Sequence, residues 1–336
     1  MSGWRALGQA LAGALGAILL TECGLRLRWG GSTAQLPIYT TGEAGIATQP
    51  GAGAQGRMHS GQRYAVQIDA RGLRAPAPPA PRWLLAGDSL PFGLGVAGDE
   101  AVSALLTAGC VPTASAGVPA YSVADALAHV AGRQSEGIVV LPNAIDDDRQ
   151  GASRLAEEHD VVGGRLLRKA APPWARAFYA SPLAAGQLPT AIVRLVSLLS
   201  MRKAMAELGR PRWVTDEDGG ASGWAAVGAL IRQFKDEHPT VSVRVAWIPL
   251  PAVAAPGRDG MAPSGRVALG DGGWSDDDAV EGLADGLGAA VIDLRQAFEG
   301  RPDAYLHGDA HLSPAGHRLL AEQLCPHLSA GQGEAR

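Results

Sequence analysis

Three short stretches of this chain put nucleophilic or hydrogen-bond-donating residues directly after segments that read as strands, and a fourth puts a basic residue just ahead of the last helix. Gly87-Asp88-Ser89-Leu90 follows the apolar run Trp83–Ala86. A serine in a tight strand-to-helix turn exposes its hydroxyl, and its own backbone N–H can face a developing oxyanion. Ala116-Gly117-Val118-Pro119 closes a second run, where a glycine lets the backbone approach a substrate oxygen with its amide free. Pro142-Asn143 ends a third, and the Asn amide can supply another donor to the same oxygen. Far downstream, Asp309-Ala310-His311 precedes a helix opened by Ser313-Pro314. A histidine there can take the serine proton, and a nearby Asp can hold the imidazole in its working tautomer. Each stretch alone also reads as ordinary turn chemistry. Their order at successive strand ends is the one a single serine-centred site requires.

The elements that must position these residues alternate between strand and helix. Short apolar runs at Trp83–Ala86, Val111–Ala116 and Ile138–Leu141, the β-branched run Val241–Ile248 and Ala289–Leu294 predict five strands. Helical spacing covers Glu100–Ala108, Ser122 to about Gln134, Ala221–Glu237, Asp276–Leu287 and Ser313–Leu324, the last with Ser313 as N-cap and Pro314 at its first position. That alternation predicts an α/β fold with a parallel sheet covered on both faces. In such sheets ligands bind outside the carboxyl ends of the strands, where the four stretches lie. Between the third and fourth strands, about 149–212, apolar spacing at Ile192, Leu195, Val196 and Leu199 predicts a helical insertion over that edge. Tyr64–Ile68 alternates and predicts one short edge strand.

Gly87-Asp88-Ser89-Leu90, Gly117, Asn143 and the Asp309/His311 segment together resemble the four sequence blocks of the SGNH hydrolases of the GDSL class. The likeness covers roughly residues 65 to 328 outside the insertion. Gly72-Leu73-Arg74 and Phe92-Gly93-Leu94-Gly95-Val96 resemble the membrane-anchored bacterial members. The resemblance implies a flavodoxin-like three-layer α/β/α domain with a five-stranded parallel sheet. It makes Ser89 the nucleophile, His311 the base and Asp309 the orienting acid. The oxyanion hole would comprise the N–H groups of Ser89 and Gly117 and the side chain of Asn143. It implies ester hydrolysis without metal or cofactor, on acyl groups of an envelope carbohydrate or lipid-type ester; acyl transfer to a sugar hydroxyl would use the same residues, and a catalytically weak binding protein could keep the fold. Asp88 is expected to bond neighbouring loops. This chain departs from the family pattern in two places. Leu141-Pro142-Asn143-Ala144 lacks the usual Gly before and Asp after the Asn, although Asp146, Asp147 and Asp148 could replace that carboxylate. The acid commonly lies three residues before the His, where this chain has Gly308; Asp309 lies two before, with Asp303 as a substitute.

Composition fits one globular domain. Of 336 residues, 46% are apolar and 18% charged, and the net charge of −4 offers no broad basic surface for nucleic acid. Residues 1–29 are expected to form a transmembrane anchor or signal segment, because Trp4–Leu20 is almost wholly apolar, broken only by Arg5 and Gln9. A 30–63 linker, a hydrolase domain over 64–329 and a 330–336 tail complete the expected organisation. The domain would then be held at a membrane with its site outside the cytoplasm. The cysteines Cys23, Cys110 and Cys325 lack zinc-ligand spacing, though Cys110 and Cys325 could pair in an oxidising compartment. His317 reads as a helix-surface or packing residue, Asp276-Asp277-Asp278 as a helix start favoured by its dipole, and Arg165, Arg168, Lys169 and Arg176 as a solvated face of the insertion.

Overall fold

A computed structural model describes residues 13, 16–18, 20–22, 36–42, 45–58, 62–143, 154–185, 221–249, 276–306 and 311–330. Its centre is a parallel sheet of β5 (Trp83–Gly87), β6 (Thr113–Ser115), β7 (Gly137–Leu141), β10 (Ser242–Trp247) and β11 (Ile292–Asp293). These are the five strands anticipated from the apolar runs, the last cut to two residues because only Ala246–Ile292 and Trp247–Asp293 pair at that edge. Every residue of β5 and β7 is buried. That explains why these strands are continuous apolar runs and show no alternation with polar residues.

Successive side chains of a strand point to opposite faces, and here they feed two separate cores. Leu84, Ala86, Ile138, Val140, Val245 and Trp247 face one core. It is completed by α3 (Val123–Val130), α6 (Ala221–Glu237) and α7 (Asp276–Leu287). Trp83, Leu85, Val139, Leu141 and Ala246 face the other, closed by α2 (Val102–Gly109), the one-turn α8 (Arg295–Phe298) and α9 (Pro314–Ser329). The architecture is therefore helix, sheet, helix. Numbered along the chain, the sheet strands lie in spatial order 2-1-3-4-5, the order of flavodoxin-like sheets. The order reverses between β5 and β7, and the crevice at that reversal is where the topology itself places a ligand.

Three expectations are corrected. The stretch 30–63, expected as a linker, holds the hairpin of β1 (Tyr39–Gly42) and β2 (Gly45–Thr48) and the strand β3 (Gly53–Arg57). Leu36, Ile38, Tyr39 and Ile46 are buried in the same core as α3 and α6. β3 pairs with β4 (Arg63–Gln67) in a sheet of its own, so the strand anticipated near Tyr64 is no edge of the main sheet. The described part of the 149–212 insertion is only partly helical. It contains α4 (Leu155–Glu158), then an antiparallel hairpin of β8 (His159–Val162) and β9 (Arg165–Arg168), then α5 (Pro173–Ala180). Gly163 and Gly164, both at positive φ (58° and 74°), make the two-residue turn that the twist of a hairpin favours. The rest of the insertion, with Ile192 to Leu199, lies outside the described residues. Apart from these corrections, no helix among the described residues is long and apolar enough to cross a membrane, and the expected anchor over 1–29 lies largely outside them. Its described helical residues present Ile18 and Leu20 to solvent.

Cys110, at the end of α2, and Cys325, in α9, form a disulfide with their Cα atoms 5.9 Å apart. It ties together the two helices that cover one face of the sheet.

Candidate active site

Ser89 is the first residue of a one-turn helix, α1 (Ser89–Phe92), that leaves β5 directly. Two glycines make this turn. Gly87 takes a φ of 142°, and a Cβ there would lie 2.5 Å from the carbonyl oxygen of Leu141 at the end of β7. At Gly117, after β6, a Cβ would come within 2.6 Å of the Phe92 nitrogen and 2.8 Å of the Asp88 oxygen. Only glycine lets the ends of β6 and β7 come this close to the serine turn.

Asp88 ties the three strand ends together. One carboxylate oxygen accepts a short hydrogen bond from the backbone N–H of Ala120, and the other accepts from Asn143 Nδ2 at 2.7 Å. The carboxylate thus spans the crevice between β5 and β7 and fixes the direction of the Asn143 amide. Ala120 takes a φ of 74°, a left-handed conformation uncommon for a residue with a side chain. The loop that carries Gly117 is held in this shape from the far side. Tyr39 donates its hydroxyl to the carbonyl of Pro119 (3.1 Å), and Tyr121 donates to that of Ile46. Both acceptors and donors belong to the segment before residue 50 and to the loop, so the hairpin β1–β2 is a brace for the site. No acceptor among the described residues takes the backbone N–H of Ser89 or of Gly117.

His311 comes from the other end of the chain. A bridge between Tyr305 and Leu312, with Leu306 N–H donating to the carbonyl of His311 (2.9 Å), sets the backbone ahead of α9. Ser313 caps that helix by accepting from the N–H of Gly316, with Pro314 at the first helical position as anticipated. A Cβ at Gly316 would lie 2.0 Å from the carbonyl oxygen of Ala304, so the start of α9 presses directly on the backbone that precedes His311. The result is a 2.9 Å contact between His311 Nε2 and Ser89 Oγ across 222 positions of sequence. Ser89 is largely buried, and His311 is half-buried. That distance is within direct proton-transfer reach.

No protein-family model matches the chain, and no curated protein matches it. Among solved structures, one crystal structure overlaps 74% of this chain and 95% of its own, with a TM-score of 0.40 and 14% identity.

The remaining sequence candidates fall in several places. Asp309 lies outside the described residues, as do Asp146, Asp147 and Asp148. The substitute Asp303 is exposed and paired with Arg301 at 3.2 Å, which lowers its pKa; it is committed there. His317 is no surface residue: it is 1% exposed, and burial, with Arg74 and His311 nearby, pushes its pKa down to about 3. Asp276 does start α7, but it is buried and accepts from the indole of Trp247 (3.0 Å), with burial raising its pKa to about 6. The basic residues of the insertion do not form one solvated face. Arg165 is buried and donates to the carbonyls of Gly163 and Ala184, and Arg176 pairs with Asp160 at 2.7 Å. Among the described residues, no group of three or more His, Cys, Asp or Glu is placed to hold a metal. Sequence reading missed Tyr39, Tyr121 and Ala120 as supports of the site. Tyrosines flanking a Gly-Pro loop carry no signal until the loop's partners are known.

Proposed function

We propose that this protein is a serine esterase: Ser89 attacks the carbonyl carbon of an acyl ester, and His311 Nε2 takes the hydroxyl proton as the new bond forms. The tetrahedral oxyanion is held by the backbone N–H groups of Ser89 and Gly117 and by Asn143 Nδ2, whose direction is set by Asp88. Collapse expels the alcohol, which leaves with the proton from His311. Water then attacks the acyl-enzyme, His311 takes its proton, and the acid departs as Ser89 regains its hydroxyl. Asp309 is assigned as the acid that orients the imidazole. The observation that carries this reading is the 2.9 Å contact between Ser89 Oγ and His311 Nε2, beside two backbone donors that no described acceptor takes. A binding module has no use for that combination. The likeness to SGNH hydrolases agrees with it.

We further infer a place outside the cytoplasm, at a membrane, with acyl groups of an envelope carbohydrate or lipid-type ester as substrates. The Cys110–Cys325 disulfide supports an oxidising compartment, and the apolar run Trp4–Leu20 supports the membrane.

The test is to incubate the full chain with short-chain p-nitrophenyl esters and with a fluorophosphonate probe. Turnover and labelling that vanish in Ser89→Ala are expected. A wild-type chain that neither turns over nor labels, while folded, would leave the binding-module reading in its place.

A further inference from the structure

Arg74 is 1% exposed, and no carboxylate among the described residues pairs with it. Its backbone N–H donates to the carbonyl of Ser115 (3.2 Å), at the end of β6 and two residues before Gly117. Its Nη2 donates to the carbonyls of Ala65 in β4 (3.1 Å) and Val96 (2.9 Å), the latter in the loop that follows α1. Its guanidinium carbon lies 4.8 Å from the ring centroid of Phe92, the last residue of the helix that Ser89 begins. Among the described residues, Nε and Nη1 have no hydrogen-bond partner, and neither has Nδ1 of the equally buried His317, whose pKa Arg74 helps to lower.

A buried cation without a counter-charge costs stability, and an apolar side chain of the same length would fill the space more cheaply. Where a fold keeps such a group beside a reactive centre, the field it creates is the return. We propose that Arg74 is a positioning residue of the Ser89 centre: its guanidinium, which no described carboxylate neutralises, locks α1 and the Gly117 strand together and biases the site toward the negative charge of the oxyanion. It does not touch the substrate. It acts through Phe92 and Val96, at the end of α1 and in the loop after it, and through Ser115, whose hydroxyl donates to the carbonyl of Pro91 in α1 (2.6 Å). In a dry interior, one uncompensated charge is felt over several ångströms, so an effect on the oxyanion needs no contact. Burial lowers the Arg74 pKa only to about 10, so the group stays charged at neutral pH.

This inference rests on the esterase reading, and the experiment separates the two. Full-chain Arg74→Met and Arg74→Lys are compared with wild type for kcat and KM on p-nitrophenyl acetate, for the rate of fluorophosphonate labelling, and for melting temperature. In Arg74→Met, kcat and the labelling rate should fall roughly tenfold or more, with KM within about twofold and the melting temperature within a few degrees of wild type. Arg74→Lys should recover a substantial part of both rates, because it restores the charge. Wild-type rates in Arg74→Met would overturn the role of Arg74 and leave the esterase intact. So would a loss that follows a drop in melting temperature and is as large in Arg74→Lys, since that marks a purely structural residue. If wild type itself neither labels nor turns over, the esterase reading fails and this inference falls with it.

Discussion

At the scale of single residues, the site is a set of polar groups whose directions are fixed by other polar groups. Asn143 is the clearest case, since Asp88 holds its amide nitrogen at 2.7 Å. Asn143→Ala should lower kcat roughly hundredfold, with KM little changed, because the donor matters only once the oxyanion forms; steady-state kinetics on a p-nitrophenyl ester checks this. Buried titratable groups predict the shape of acid unfolding. His317, with an ordinary value of 6.5, binds its proton in the folded chain only near pH 3. Between those values the unfolded chain holds a proton that the folded chain lacks, so stability falls as pH drops from about 6.5. Asp276 has the opposite sign. Its folded value of about 6 lies above its ordinary 3.8, so the folded chain binds the extra proton and gains stability as pH falls from about 6 to 4. Melting temperatures measured from pH 7 to pH 4 should therefore decline less steeply in His317→Gln, and more steeply in Asp276→Asn, than in wild type. Ser89, Gly117 and Asn143 were legible in the sequence because each is a polar or small residue at the end of an apolar run, and His311 because it stands just ahead of the Ser313-Pro314 helix start. Tyr39 and Ala120 were not, because their importance lies in partners tens of positions away.

At the scale of elements, the sheet was legible because strands buried on both faces are short apolar runs with little else to be. α6 and α7 were anticipated with the ends they have, since helical spacing runs unbroken through Ala221–Glu237 and Asp276–Leu287. The outlying strands gave weaker signals. β3 is Gly-Ala-Gln-Gly-Arg, with no apolar stripe; a Cβ at Gly56 would lie 2.3 Å from the ring of Tyr64, so the glycine is there to admit a cross-strand ring. In the insertion, the Gly163-Gly164 pair between Val161-Val162 and Leu166-Leu167 was a hairpin signal that the nearby helical spacing obscured. The elements also meet at Gly117, where the loop after β6 presses on α1. In Gly117→Ala the added methyl has no room and must push α1 and its serine away from His311. The expected outcome is a chain that folds, with a circular dichroism spectrum like wild type, and whose turnover of a p-nitrophenyl ester, on the proposed function, drops more than hundredfold.

At the scale of the whole molecule, two covalent or topological links tie remote parts of the chain to the site. The Cys110–Cys325 bridge spans 215 positions and fastens α9, which follows His311, to α2. In Cys110→Ser the loss of that constraint on the unfolded chain should cost about 2–4 kcal/mol, seen as a fall of roughly 5–15 °C in melting temperature. Wild type in reducing agent should show the same fall, and the variant should show no further change. The second link is the hairpin β1–β2. Its place between the apolar N-terminal run and the sheet gives it the look of a leash, yet Tyr39 and Ile46 grip the loop that bears Gly117. A shortened version of this protein that begins at residue 64 would thus discard the brace of the loop that bears Gly117. By the same token, any displacement of the hairpin would be delivered to the backbone beside Ser89.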